Sequence, residues 1–236
     1  MTDTSQLSLP LLQAAQAQKH VTVNEALARL DGLVLLSLQS QSLTTPPLVV
    51  TDGLAYGVPL GAVNAWSGQD GRLAVGRNGG WDFLTPRRGW RALILDEGMQ
   101  AFHDGATWRS GMVTLTPKNA GLAIKVAQID HVIGAGAQST TAAIIPPNAV
   151  VVGATARVVS AITGTLTSWQ LGNPGAVGRY GTGLGLGVNA FARGLLGQPT
   201  TSYSATAMQL DATGGAFTGG TVRIAIHYFE VTLPDL

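Results

Sequence analysis

Apolar and polar positions alternate along this chain in two different rhythms. Val23, Leu27, Leu30, Val34 and Leu38 recur at the three-to-four-residue spacing of one helical face, which predicts a helix through this opening segment. Thr22 and Glu25, in the run TVNE, have the form of a capping box, each side chain satisfying a free amide of the first turn. Gly32 costs about 1 kcal/mol against Ala within such a helix, and marks where it could bend.

From about Thr44 the rhythm shortens. PPLVVTDG, WSGQDGRLAVG, RNGGWDFLTP and RALILDEGMQAFHDGATW are short apolar runs separated by Asp-Gly, Asn-Gly and Gly-Gly pairs. Such pairs supply the positive φ that tight hairpins require. AVGRNGGW and AFHDGATW echo one another, which predicts two similar hairpins placing Trp81 and Trp108 on one face of a small sheet. After a boundary near residues 110–118, strand-like runs follow one another: IKVAQIDHVI, AVVVGATARVV, TSWQLG, SATAMQLDA and TVRIAIHYFEVTL. The last alternates cleanly, with Arg223 and His227 on one polar face. The expected fold is mainly β: an N-terminal helical attachment segment (1–43), a small antiparallel β-hairpin domain (44–112), and a C-terminal jelly-roll-like β-sandwich (113–236) as a receptor-binding module.

Composition narrows the possible partners. Charged residues are 11% of the 236 and the net charge is +1, too little to neutralise a nucleic-acid backbone, so no nucleic acid is expected. The hydrophobic fraction of 45% is enough to bury a core. Mean hydropathy is +0.24, yet no run reaches the roughly 18 apolar residues of a membrane span, so no membrane insertion is expected. Apolar surface without a membrane is most simply buried between subunits, and a homo-oligomer is expected. There is no cysteine. The start MTDTSQLSLP lacks the features of a secretory signal, so a role outside the cell implies release by lysis.

Catalytic signatures are missing. There is no G-x-S-x-G, no H-E-x-x-H and no P-loop, and His20, His103, His131 and His227 are scattered. Asp96 and Glu97 would point to opposite faces of a strand or be solvated in a turn. No enzyme, metal or cofactor is expected. Gly181, Gly183, Gly185 and Gly187 fall on every second residue and would leave one strand face bare, for subunit packing or, as the lesser alternative, a flat ligand. Carbohydrate binding asks for exposed aromatic faces beside planar polar groups. Trp169, Asn173, Arg179, Tyr180, Asn189 and Tyr203 are candidates for that role.

LPLLQAAQAQKHVTVNEALARLDGLVLLSL (9–38) resembles the opening signature of a family of unknown function found in phages and alphaproteobacterial gene transfer agents. Gln16, Gln18, Lys19, His20, Asn24, Glu25, Ala26, Leu27, Leu30 and Asp31 carry the match, which continues through AWSGQDGRLAV, GWDFLTPRRGWRALILDE and FHDGATW to about residue 110. The second half is similar to a C-terminal module of the same family, through Ile145, Pro146, Ala149, Val151 and Gly153 and the ending FTGGTVRIAIHY (217–228). The resemblance implies a spike or fibre protein, close to the head spikes of gene transfer agents, on a particle surface and extracellular after lysis. It implies a trimer by preference, or a pentamer at a vertex, with other spike or capsid vertex proteins and host capsular polysaccharide as partners. His20, Thr22, Glu25, Leu27 and Leu30 would then belong to an attachment or assembly element. A spike depolymerase cutting the same glycan, or an adaptor without ligand, are the alternatives.

Overall fold

The computed structural model describes residues 3–13 and 19–236; Gln16 and Gln18 of the matched signature lie outside them. The chain divides into two compact units, Met1–Asn119 and Ala120–Leu236.

In the first unit, α1 (Lys19–Leu33) precedes a sheet built from β1 (Ser37–Leu38), β2 (Ala55–Gly57), β3 (Leu73–Arg77), β4 (Gly80–Leu84), β5 (Arg91–Ile94), β6 (Met99–His103) and β7 (Trp108–Ser110), with β8 (Met112–Leu115) following. The sheet order is β4-β3-β2-β1-β5-β6-β7. It is not wholly antiparallel, because the central strand β1 pairs parallel with both β2 and β5. The helical periodicity does not extend to Leu38 as the sequence suggests. Leu35, at φ 54°, breaks the helix, and Leu36 and Leu38 enter the sheet core instead. Gly32 lies inside α1 because a side chain there would press on Val75: an added Cβ would stand 3.3 Å from its Cγ1.

The hairpins form where the Gly pairs place them. Asn78 and Gly79, both at positive φ, make the two-residue turn between β3 and β4. Asp104–Thr107 makes the longer turn between β6 and β7. The two tryptophans, however, lie on opposite faces. Trp108 packs on the cluster of Leu36, Leu38, Leu73, Val75 and Ile94. Trp81 stacks edge-on against Trp66 and Tyr56 in a second cluster with Val58 and Ala74. Both hairpins keep the same register, Gly76 opposite Trp81 and His103 opposite Trp108, so the difference arises from how each hairpin joins the sheet and not from its turn.

The second unit is a jelly roll. Its strands are β9 (Gly121–Val132), β10 (Gln138–Ile145), β11 (Ala149–Gly164), β12 (Ser168–Asn173), β13 (Ala176–Leu184), β14 (Phe191–Ser202), β15 (Thr206–Thr213) and β16 (Phe217–Thr232). One sheet runs β14-β11-β16-β9 and the other β10-β15-β12-β13. Every pairing within these two sheets is antiparallel. Lettered B to I in chain order, the sheets are B-I-D-G and C-H-E-F, the order of an eight-stranded jelly roll. Alternation along β16 sends Val222, Ile224, Ile226 and Tyr228 into the core between the sheets, where they meet Val151 and Val158 of β11, Trp169 and Leu171 of β12, and Met208 and Leu210 of β15. Arg223, Ala225 and His227 consequently face outward.

Candidate functional site

The attachment residues foreseen in the sequence lie on α1. Thr22 is inside the helix rather than at its start, so no capping box forms; Glu25 instead accepts a hydrogen bond at 2.8 Å from Arg29, one turn on. His20 and Leu27 are half-buried. The helix docks by its small and polar side. Asp31 and Gly32 are buried, Gly32 against Val75. The Asp31 carboxylate accepts from the Thr4 hydroxyl at 2.7 Å and from the amides of Gln6 and Leu7 at 3.0 and 2.6 Å. Asn24 exchanges two hydrogen bonds with the Leu12 backbone, at 2.9 and 3.0 Å. The apolar stripe of Val23, Leu27, Leu30 and Val34 is therefore turned outward, with Val23, Leu30 and Val34 40%, 51% and 44% exposed. A cavity of about 330 Å³ lies between the N-terminal segment, α1 and β3–β4. Its Arg29, Asp31, Arg77 and Asp82 are already partnered within the unit.

On the hairpin beside Trp108, Asp104 is buried. Burial alone would raise its carboxyl. The amides of Thr107 and Ala106, with Arg109 at 2.6 Å, more than offset this and bring it down to about 2. Burial also lowers His103, whose ring meets Trp108 edge-on, although the charge of Asp104 opposes the shift. These groups serve the turn. Asp96 and Glu97 lie in the β5–β6 turn, where Glu97 accepts from Gln41 at 2.6 Å.

The six carbohydrate candidates are not brought together. Trp169 is fully buried, its indole N–H donating to the Gly185 carbonyl at 2.9 Å. Asn173 is buried and bonded to the Ala207 carbonyl, and Tyr180 is 2% exposed in the same core. None of these three can stack on or bind a sugar without unfolding the sandwich. Their strands supply the inward positions of a two-sheet core, where large aromatics contribute most. Tyr203, Arg179 and Asn189 are exposed. The alternating glycines are not one bare strand face. β13 ends at Leu184 just after Gly183, and Leu184 and Leu186 pack on the core.

What the fold does assemble is a row structure on the outer face of the β14-β11-β16-β9 sheet. Phe191, Arg157, Arg223 and Asp130 stand side by side across four strands. The next row is Arg193, Thr155, Ala225 and Gln128, and the one after includes His227, bonded to Thr155 at 3.1 Å. A shallow depression of about 370 Å³ lies over the first two rows. Asp130 grips Arg223 with two hydrogen bonds, at 2.6 and 2.7 Å. Of these residues only Arg223 and His227 were placed on a common face by the sequence. Phe191, Arg157 and Arg193 belong to other strands, and only the register unites them. Among the described residues no cluster of His, Asp or Glu is arranged to hold a metal ion, and no helix is long and apolar enough to cross a membrane.

The class of protein is thus a jelly roll preceded by a helix-and-sheet unit. Residues 23–109 match a family described as "Protein of unknown function (DUF2793)". No curated protein matches the chain. Among solved structures it is similar to a chain of the "Cyanophage Pam1 capsid asymmetric unit", at 22% identity and a TM-score of 0.31, over 47% of this chain and 85% of that one.

Proposed function

We propose that the protein is a structural adhesin of a phage-like particle, whose first unit joins the assembly and whose jelly roll attaches to a host surface polysaccharide. The observation that carries this reading is the outward-facing stripe of α1. A helix that packs by Gly32, Asn24 and Asp31 while exposing Val23, Leu30 and Val34, with Leu27 half-buried among them, leaves an apolar surface for another chain. The intervals of four, three and four residues are those of a coiled-coil seam, which suits further copies of the same chain, a trimer by preference. The resemblance to gene transfer agent head spikes supports the glycan as target, and multivalency would turn weak sugar contacts into firm attachment. In this reading the protein binds the glycan and does not cut it.

The test is binding of the purified protein, its mass first measured by light scattering, to encapsulated cells and an acapsular mutant. Capsule-dependent binding with no shortening of purified capsule is expected. Shortening would make the protein a depolymerase. Equal or absent binding would favour the second reading, an assembly adaptor without ligand, which the same α1 stripe supports.

A further inference from the structure

Arg157 and Arg223 are directly paired across β11 and β16 and point to the same outer face. Like charges in directly opposite positions repel and weaken a sheet. Asp130 neutralises Arg223, but it does so from the far side, on β9. Among the described residues Arg157 reaches only a neutral acceptor, the Asn189 side-chain oxygen, at 3.4 Å. Arg193 lies diagonal to Arg157, one row along on β14, and has no hydrogen-bond or ion-pair partner among the described residues. Two exposed guanidiniums thus share one depression without a carboxylate between them, on a unit that has few charges of either sign. Phe191, 60% exposed, completes the row beside Arg157. Thr155 and Gln128 line the same depression.

We propose that this face binds a carboxylate-bearing glycan. Arg157 and Arg193 take the carboxylate of an acidic sugar residue, Phe191 carries the apolar face of a neighbouring ring, and Gln128 and Thr155 meet its hydroxyls. Diagonal cross-strand positions stand about 7–8 Å apart, within reach of two long side chains converging on one group. A planar carboxylate matches the guanidinium fork. Nucleic acid is the poorer occupant, since a tight backbone binder makes roughly 6–10 phosphate contacts and this face offers three cations, one already paired.

The proposal rests on the glycan-binding reading of the jelly roll, and its test separates the two. The intact protein is titrated with polygalacturonate, with the same polymer after its carboxyls are reduced to alcohols, and with single-stranded DNA of similar length. Polygalacturonate should bind and weaken at high salt, while the reduced polymer and the DNA bind at least tenfold more weakly. Arg157→Gln with Arg193→Gln should lose at least tenfold on polygalacturonate while keeping the wild-type melting temperature. Arg87→Gln, at an exposed position of the first unit, should bind as wild type. No binding to polygalacturonate, equal binding to the reduced polymer or to DNA, or wild-type affinity in the double variant would each overturn this site. Capsule-dependent cell attachment that persists in the double variant would overturn the site and leave the adhesin standing. Absence of that attachment in the wild type would remove the adhesin itself.

Discussion

Asn24 and Asp31 stand about two turns apart on one side of α1 and grip two points of the same N-terminal strap: Asn24 holds the Leu12 backbone, while Asp31 takes the amides of Gln6 and Leu7. The sequence signature around these residues thus has a structural reading. Its polar members fasten the segment before the helix, and its apolar members remain available to a partner.

Replacing Asp31 by Ala removes the acceptor of three hydrogen bonds at a buried position. The expected cost is about 3 kcal/mol, since bonds to a charged group are worth more than neutral ones and the strap amides lose their partner. Hydrogen exchange at Gln6 and Leu7 should accelerate sharply. Undiminished protection at both amides would show that something other than the clamp orders the strap.

The two sides of α1 should respond oppositely to substitution. Leu30→Asp alters a position 51% exposed and Leu27→Asp a half-buried one, so the isolated chain should lose about 1–2 kcal/mol and stay folded. Its oligomer should dissociate. Gly32→Val presses a branched side chain against Val75 and should cost about 1–3 kcal/mol by overpacking. Light scattering and thermal melting separate the two effects. A Leu27/Leu30 variant that keeps its mass would end the claim that this stripe joins copies.

This contrast also explains what the sequence could and could not disclose. Spacing identified the helical face formed by Val23, Leu27, Leu30 and Val34, but periodicity is silent on which face packs. That was decided by Gly32 and Asp31, residues a hydrophobic pattern discounts. The jelly roll was legible because long alternating strands such as β16 state both their period and their buried side. β1 was hidden, being two residues long and appended to a helical pattern, although it is the centre of its sheet. Strand period alone does not say which side of the short runs around Trp169 and Tyr180 is buried, so both aromatics look available to a ligand in the sequence. The sandwich instead buries them as the core of its second sheet. Arg157, Arg193 and Phe191 could not be joined from sequence at all, for cross-strand register leaves no local trace.

The β6–β7 turn should make the first unit acid-sensitive. Asp104 ionises at about 2 in the folded chain against 3.8 unfolded, so its contribution is present above about pH 4 and is lost as pH falls through 2. A shift of this size corresponds to at most about 2 kcal/mol. Asp104→Asn should therefore be less stable than wild type at pH 7, with the gap closing between pH 4 and 2. A gap that stays constant over that range would show that the carboxylate charge contributes nothing.

Trp169 and Tyr203 provide the plainest comparison of buried and exposed aromatics in the jelly roll. Trp169 is fully buried between the sheets and its indole nitrogen is satisfied by Gly185, whereas Tyr203 is 83% exposed. Trp169→Ala opens a cavity among Leu171, Leu210 and Ile224 and orphans a carbonyl, with an expected loss of about 3–5 kcal/mol. Tyr203→Ala should shift stability by less than about 0.5 kcal/mol. Any fall in glycan binding by a Trp169 variant would then track the fraction unfolded at each temperature. A fall caused by Tyr203→Ala would occur at unchanged stability. Denaturant titration run beside the binding assay distinguishes them, and a Trp169→Ala protein that is stable yet unable to bind would return that residue to the binding surface.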